Sequence, residues 1–219
     1  MDDVRRFCVR MLGDSPAARE AEQAARAAGK GDPTATLGAA VSACRERVDA
    51  EGAVAEGAIH DADRTASGPA SDPRRLANAV ARELRTASGR LAPRQREALA
   101  LRELLGKDHD EMGKLTGADT DAVASVLADA RISLREELRG PGAPQPPCDE
   151  RERALRTIAR RQDGQAVADA DADWLVEHLG HCRGCGQAHA AMLEATACYR
   201  AWSADDAPSQ AAAVASSSA

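Results

Sequence analysis

Residues 91–140, LAPRQREALALRELLGKDHDEMGKLTGADTDAVASVLADARISLREELRG, carry the pattern that decides the fold. Apolar residues recur at helical spacing in three segments, which Gly106 and Gly117 separate. A short helix, a glycine turn and a longer helix give a helix-turn-helix outline. The apolar residues predicted to form its core are Leu101, Leu104, Leu105, Met112, Leu115, Val123, Leu127, Leu134 and Leu138.

The composition of the whole chain also favours helices. Of its 219 residues 43% are apolar, but only 2% are aromatic, and alanine supplies much of the apolar share. Alanine favours helices, whereas strands favour β-branched and aromatic residues. We therefore predict an all-α protein made of small helical domains joined by flexible linkers, without a single large core.

Shifts in composition predict where these domains begin and end. The segment VRRFCVRMLG places its apolar residues on one helix face, and two Gly-, Ala-, Ser- or Pro-rich stretches interrupt the helical patterns further along. We predict helices in 1–48, a linker in 49–73, the helix-turn-helix domain in 74–140, a Pro-rich linker in 141–147, a third helical domain in 148–202 and a disordered tail in 203–219.

Charge and motifs exclude several classes of function. The net charge of -6 argues against a general nucleic-acid binder, because such binding depends on an excess of Lys and Arg. The chain has no apolar run of membrane-spanning length and no nucleophile, base or cofactor motif, so we expect a cytoplasmic protein that is not an enzyme and has no small-molecule substrate. We interpret His60 and His109 as solvated, and Cys8 and Cys44 as core packing.

The segment EHLGHCRGCG, residues 177–186, indicates a metal site. His178 and Cys182 are one helical turn apart, and Cys185 follows in a Cys-x-x-Cys pair with Gly184 between the sulfurs. Thiolates and imidazole at this spacing suit tetrahedral zinc, which we expect to be structural. The fourth ligand that we favour is Cys148; the alternatives are His181 and His189.

The order of these parts resembles extracytoplasmic-function sigma factors. In that family region 4, which binds the promoter −35 element, typically contains Leu-Pro-x-x-x-Arg, then Glu-Ile-Ala-x-x-Leu-Gly, then Val-x-x-x-Leu-x-x-Ala-Arg-x-x-Leu-Arg. Corresponding places here are occupied by Leu91, Pro93 (one residue later than usual), Arg96, Glu111, Met112, Gly117, Val123, Leu127, Ala130, Arg131, Leu134 and Arg135. The segment VRRFCVRMLGD resembles the first helix of the polymerase-binding region 2. The spacing Cys-x29-His-x3-Cys-x2-Cys in 148–185 resembles a zinc-binding anti-sigma domain.

The resemblance implies partners and binding residues. Core RNA polymerase would be the main partner, with promoter DNA or a partner sigma factor as further ones. The zinc ligands would be Cys148, His178, Cys182 and Cys185. The DNA contacts would come from Thr120, Ser125, Arg131 and Arg135.

The sequence departs from the family at the predicted recognition helix. The stretch ADTDAVASVLAD contains Asp119, Asp121 and Asp129 and no basic residue. Such carboxylates would repel DNA phosphates. In addition, residues 13–73 contain no Phe, Tyr or Trp, whereas promoter melting depends on side chains that hold unstacked bases.

Three hypotheses follow. The first is a sigma-like regulator of transcription initiation that binds polymerase and promoter DNA and is restrained or scaffolded by its fused zinc domain. The second is a regulator without DNA binding that sequesters a partner sigma factor. The third, compatible with either, is a redox or zinc sensor, because zinc-bound thiolates can be oxidised with loss of the metal.

Overall fold

The computed structural model describes residues 2–51 and 73–205 of the chain. This part is all-α, as predicted, with no strand. Its helices are α1 (Asp3–Leu12), α2 (Pro16–Gly29), α3 (Pro33–Glu51), α4 (Pro73–Arg90), α5 (Pro93–Leu99), α6 (His109–Thr116), α7 (Thr120–Arg139), α8 (Arg151–Gln162), α9 (Asp169–His181) and α10 (Arg183–Asp205), and a π-helical turn, Ala100–Leu104, continues α5. Of the predicted linker 49–73 and tail 203–219, residues 52–72 and 206–219 lie outside the described residues.

Capping residues in the local sequence determine where α1 and α2 begin. The side chains of Asp2 and Ser15 cap the N-termini of α1 and α2, and Pro16 occupies the first turn of α2. Helices α2 and α3 pack so closely that a Cβ on Gly29 would lie 2.5 Å from the Cα of Thr36. The predicted apolar face of α1 is buried: Val4, Phe7, Cys8, Met11 and Leu12.

Helices α6 and α7 form the predicted helix-turn-helix. Asp108 and Glu111 make a capping box at the start of α6, and Asp119 caps α7. Gly117 has φ +71° in the turn between them. A Cβ on Gly113 would lie 2.7 Å from the carbonyl oxygen of Ala118, so glycine permits the tight crossing.

The N-terminal helices pack directly against the helix-turn-helix segment. Apolar residues of α1 to α3 share one cluster with residues of α5, α6 and α7. Arg45 of α3 makes two hydrogen bonds of 2.6 and 2.7 Å to the carboxylate of Glu97 in α5. Arg96 donates from Nη1 to the carbonyl oxygen of Met11 at 3.2 Å. The interface is thus both apolar and polar.

The C-terminal helices pack on the other side of the helix-turn-helix segment. A second cluster joins Tyr199 and Trp202 of α10 to α4, α5 and α7, and a third joins α8, α9 and α10 to α7. The guanidinium of Arg10 lies 3.3 Å from the ring centre of Trp202, so α1 also contacts α10. The described residues therefore form three apolar clusters, and the sequence-based domain boundaries stay a prediction.

Candidate metal centre and nucleic-acid interface

Four potential metal ligands come together between the Pro-rich segment and helices α9 and α10. The ligand atoms of Cys148, His178, Cys182 and Cys185 all lie within 4.8 Å of one another. Sγ of Cys148 lies 3.6 Å from Nε2 of His178 and 3.9 Å from Sγ of Cys185. Zinc bonded tetrahedrally to sulfur and nitrogen would place S···N at about 3.6 Å and S···S at about 3.8 Å. The donor set and its spacing could therefore hold a metal ion such as zinc.

Local backbone structure explains how these ligands meet. His178 lies in the last turn of α9, Cys182 adopts an extended conformation between α9 and α10, and Cys185 lies in the first turn of α10. The backbone N–H of Cys185 donates to the sulfur of Cys182 and lowers the pKa of that thiol. Burial raises the pKa of Cys185 to about 12. A bound cation would favour the thiolate form of both residues.

Two further residues support the cluster, and neither role was predicted from the sequence. The ring of Trp174 stacks on His178 with centroids 5.0 Å apart, and the guanidinium of Arg153 lies 3.9 Å above the indole. Trp174 precedes His178 by one helical turn, a spacing that could have signalled this contact.

Gly184 lies inside α10 rather than easing a turn, and a Cβ there would lie 3.3 Å from the Cβ of Gln145. Glycine therefore lets the Pro-rich segment approach and deliver Cys148.

The two alternative histidine ligands lie outside this cluster. His181 is exposed, and its Nδ1 is 2.9 Å from the carbonyl oxygen of Glu177. His189 lines a groove between α8, α9 and α10, where burial lowers its pKa. Of the three candidates for the fourth position, Cys148 is the one that the structure brings to the other ligands.

The proposed DNA-contacting residues of α7 differ in their surroundings. Thr120 and Ser125 are half-buried. Arg135 is also half-buried, and it donates to the carbonyl oxygen of Gly140 at 3.0 Å. Arg131 is fully buried, so the structure corrects the expectation that its side chain contacts DNA.

Arg131 belongs to a buried network of charges. It donates to Glu103 in the π-helical turn and, at 2.6 Å, to Asp163 at the end of α8. His109 pairs with the same Asp163 carboxylate, with Nε2 at 2.9 Å, and is 1% exposed. The interpretation of His109 as a solvated histidine was therefore wrong, because its partner lies 54 residues away in the sequence. His60 lies outside the described residues.

The network lowers the pKa of Asp163. Burial alone would raise that pKa, but hydrogen bonds from His109 and Arg131 and the charges of Arg131 and Arg102 outweigh the burial. Arg102 also donates from Nη2 to the backbone carbonyl of Asp163 at 2.9 Å. These contacts fix the end of α8 against the helix-turn-helix segment.

Helix α8 covers one face of α7. Ala124 and Ala128 of α7 are fully buried in the cluster that contains Leu155 and Ile158 of α8. At the edge of this contact, Arg160 of α8 donates from Nη1 to Asp121 at 3.1 Å. Helix α10 adds Arg200, whose Nε lies 2.7 Å from Glu103. The C-terminal helices thus cover one face of the predicted recognition helix.

Comparison with known protein families supports the helix-turn-helix interpretation. Residues 81–134 match the family model Sigma-70, region 4. The match begins in α4 and ends in α7, so the chain is sigma-factor-like in this segment and the match supports a role in transcription. The cysteine–histidine cluster lies beyond it. Comparisons with curated proteins and with solved structures gave no match. No helix among the described residues is long and apolar enough to cross a membrane.

Proposed function

We propose that this protein is a sigma-like regulator of transcription initiation whose recognition helix is held by its own C-terminal helices. The match to Sigma-70 region 4 supports core RNA polymerase and promoter DNA as partners, and such a role would be carried out in the cytoplasm. The proposed restraint of α7 rests on the packing of α8 against Ala124 and Ala128 of that helix. A helix covered in this way cannot enter a major groove until α8 moves.

Zinc at the cluster of Cys148, His178, Cys182 and Cys185 would stabilise this restraint. The carbonyl oxygen of Cys148 accepts from the backbone N–H of Arg151, the first residue of α8. Cys185 lies in the first turn of α10. A metal bound to these side chains would tie the start of α8 to the start of α10, and both helices pack on α7.

The test compares two substitutions on α8 in the full chain. Ile158 is buried in the contact with α7, α9 and α10, so Ile158→Glu should separate the C-terminal helices from α7. Arg161 is exposed on the same helix, so Arg161→Glu is the matched control. Capture of purified core RNA polymerase and anisotropy of a labelled DNA duplex are measured for both variants and the wild type. We expect stronger capture by Ile158→Glu alone; equal capture by all three would contradict the restraint.

A second candidate function is sequestration of a partner sigma factor without DNA binding. It is favoured by the carboxylates Asp119, Asp121 and Asp129 on α7 and by the burial of Arg131. Under this hypothesis Ile158→Glu would capture a sigma factor or polymerase but would show no salt-dependent binding to DNA. Salt-dependent DNA binding by the released protein would instead support the first function.

Either function could respond to oxidants through the metal cluster. Peroxide would take two electrons from Cys182 and Cys185, which would form a disulfide while the peroxide is reduced to two waters. The metal would then lose two ligands. Zinc release on peroxide treatment, reversed by a thiol reductant and added zinc, would support a sensing role; an inert site would indicate that zinc is purely structural.

A further inference from the structure

The carboxylate of Asp163 has an unusual set of partners. It lies at the C-terminal end of α8 and its side chain is 0% exposed; it is hydrogen-bonded to His109 and Arg131 and forms an ion pair with Arg102. All three belong to the helix-turn-helix segment: the π-helical turn, the first residue of α6 and the middle of α7. Of these four residues, only the anion, Asp163, comes from the C-terminal helices; Arg200 of α10 joins the network through Glu103.

Two guanidiniums and an imidazole converging on one carboxylate form the type of site that binds oxyanions. Guanidinium groups bind carboxylate and phosphate through the same paired N–H donors, at about 2.7–2.9 Å. Here Nη2 of Arg131 donates at 2.6 Å and Nε2 of His109 lies at 2.9 Å, while Nε of Arg102 is 3.1 Å away in an ion pair that lacks hydrogen-bond geometry. The donors are held in place by helix packing, so the site does not need to be assembled around its ligand.

The charges in the buried network around Asp163 favour a bound anion. Arg102, Arg131 and Arg200 carry three positive charges, and Glu103 and Asp163 carry two negative charges. Removing the Asp163 carboxylate leaves three guanidiniums beside Glu103 alone. Arg200 is half-exposed, so the uncompensated charge in the interior is that of Arg102 and Arg131, and it is costly unless another anion is bound.

The site lies next to the surface. Asp163 is followed by the exposed Gly164, which has φ +71° and begins the connection to α9. Arg200 at the edge of the network is 53% exposed. Loss of the Asp163 side chain would therefore open a space that is reachable from solvent.

We propose that Arg102, His109 and Arg131 form a phosphate-binding site in the helix-turn-helix segment, and that Asp163 occupies it within the same chain. The ligand is a tetrahedral oxyanion, supplied either by a nucleic-acid backbone or by free phosphate. The existence of the site is independent of the proposed function, because it rests on donors that are present whether or not the protein binds polymerase.

The experiment uses the full chain with Asp163→Ala. Inorganic phosphate should bind this variant saturably, and its melting temperature should rise by about 3–6 °C at a phosphate concentration ten times the dissociation constant. Sodium chloride at matched ionic strength should not have this effect. Because phosphate stabilises most folded proteins to some extent, the quantity compared is the rise beyond that of the wild type.

Matched variants separate the site from a general charge effect. Asp121→Ala also removes a carboxylate partner of an arginine, but Asp121 is exposed, so its phosphate response should equal that of the wild type. Adding Arg102→Ala to Asp163→Ala should abolish the response. If Asp163→Ala does not fold in chloride, then Asp163→Ser, which keeps an acceptor for His109, is measured instead. Absence of saturable phosphate binding to the folded variant, or failure of both variants to fold even in phosphate, overturns the proposal.

A DNA duplex identifies the source of the phosphate. Displacement of inorganic phosphate from Asp163→Ala is detected by ³¹P NMR. If unlabelled duplex displaces the phosphate, the site binds backbone phosphate. If phosphate binds and the duplex does not displace it, the site is specific for a small anion. Both results support the anion site, whereas the polymerase capture described above tests the proposed function separately.

Discussion

Nη1 of Arg160 on α8 lies 3.1 Å from Oδ1 of Asp121 on α7. This pair gives a physical role to an acidic residue that would be out of place on a helix that binds DNA. Partial desolvation, with the charge of Glu152 on α8, raises the pKa of Asp129, and the charge of Arg151 on the same helix opposes this rise. Asp121 of α7 thus complements an arginine of the covering helix, whereas Asp129 lies near both an arginine and a glutamate of that helix.

Charge exchange between Arg160 and Asp121 should reveal this complementarity. Both side chains are substantially exposed, so Arg160→Glu should lower the free energy of unfolding by no more than about 1 kcal/mol. Combining it with Asp121→Arg should restore most of the loss, as measured by urea unfolding in a double-mutant cycle. Arg161→Glu serves as the control on the same helix. Additive effects of the two substitutions would show that the pair does not stabilise the contact.

Removal of one cluster ligand should remove the metal. We expect wild-type protein purified with zinc to contain one zinc per chain and Cys185→Ser to contain substoichiometric zinc, with a melting temperature lower by more than about 5 °C. Cys198 lies outside the cluster and is partly buried, so Cys198→Ser is the control for loss of a thiol and should keep its zinc. Metal content is measured by atomic absorption. Equal zinc content in both variants would exclude the cluster as the metal site.

The sequence predicted local features well and distant partners poorly. The helical face of α1 and the ligand spacing in 178–185 follow from positions within one or two helical turns, and the structure agrees with both. Arg131 and His109 were interpreted incorrectly because their burial depends on Asp163, which lies 32 and 54 residues away in the chain. From sequence alone a charged side chain is predicted to be exposed, because the buried partner of opposite charge is not known.

The same reasoning predicts unequal effects of two arginine substitutions on α7. Arg131 is fully buried between Glu103 and Asp163, so Arg131→Ala leaves two carboxylates without their shared partner and should cost about 3–5 kcal/mol. Arg135 is partly exposed and 3.7 Å from Glu194, so Arg135→Ala should cost less than about 1 kcal/mol. Chemical unfolding monitored by tryptophan fluorescence measures both. Similar losses for the two variants would contradict the assigned roles.

The lowered pKa of Asp163 predicts a specific dependence of stability on pH. A carboxyl group whose pKa falls below its ordinary value of 3.8 on folding contributes its full stabilisation above that value and loses it as the pH falls further. The difference in unfolding free energy between wild type and Asp163→Asn should therefore decrease as the pH falls below about 4. Taking the difference cancels the titration of carboxylates that both proteins share. A difference that persists unchanged to pH 2 would show that the ionised form is not the stabilising one.

Two glycines near the metal cluster provide a matched pair of substitutions. Both lie in helices, but a Cβ on Gly180 would meet no atom within 4 Å, whereas one on Gly184 would lie 3.3 Å from the Cβ of Gln145. Gly180→Ala should therefore leave zinc affinity unchanged and stabilise α9 by about 0.5–1 kcal/mol. Gly184→Ala should push the Pro-rich segment and Cys148 away from the other ligands and raise the zinc dissociation constant about tenfold. Competition with a chromogenic zinc chelator measures both constants. Equal affinities would mean that the segment can shift without moving Cys148, and that its contact with α10 does not position this ligand.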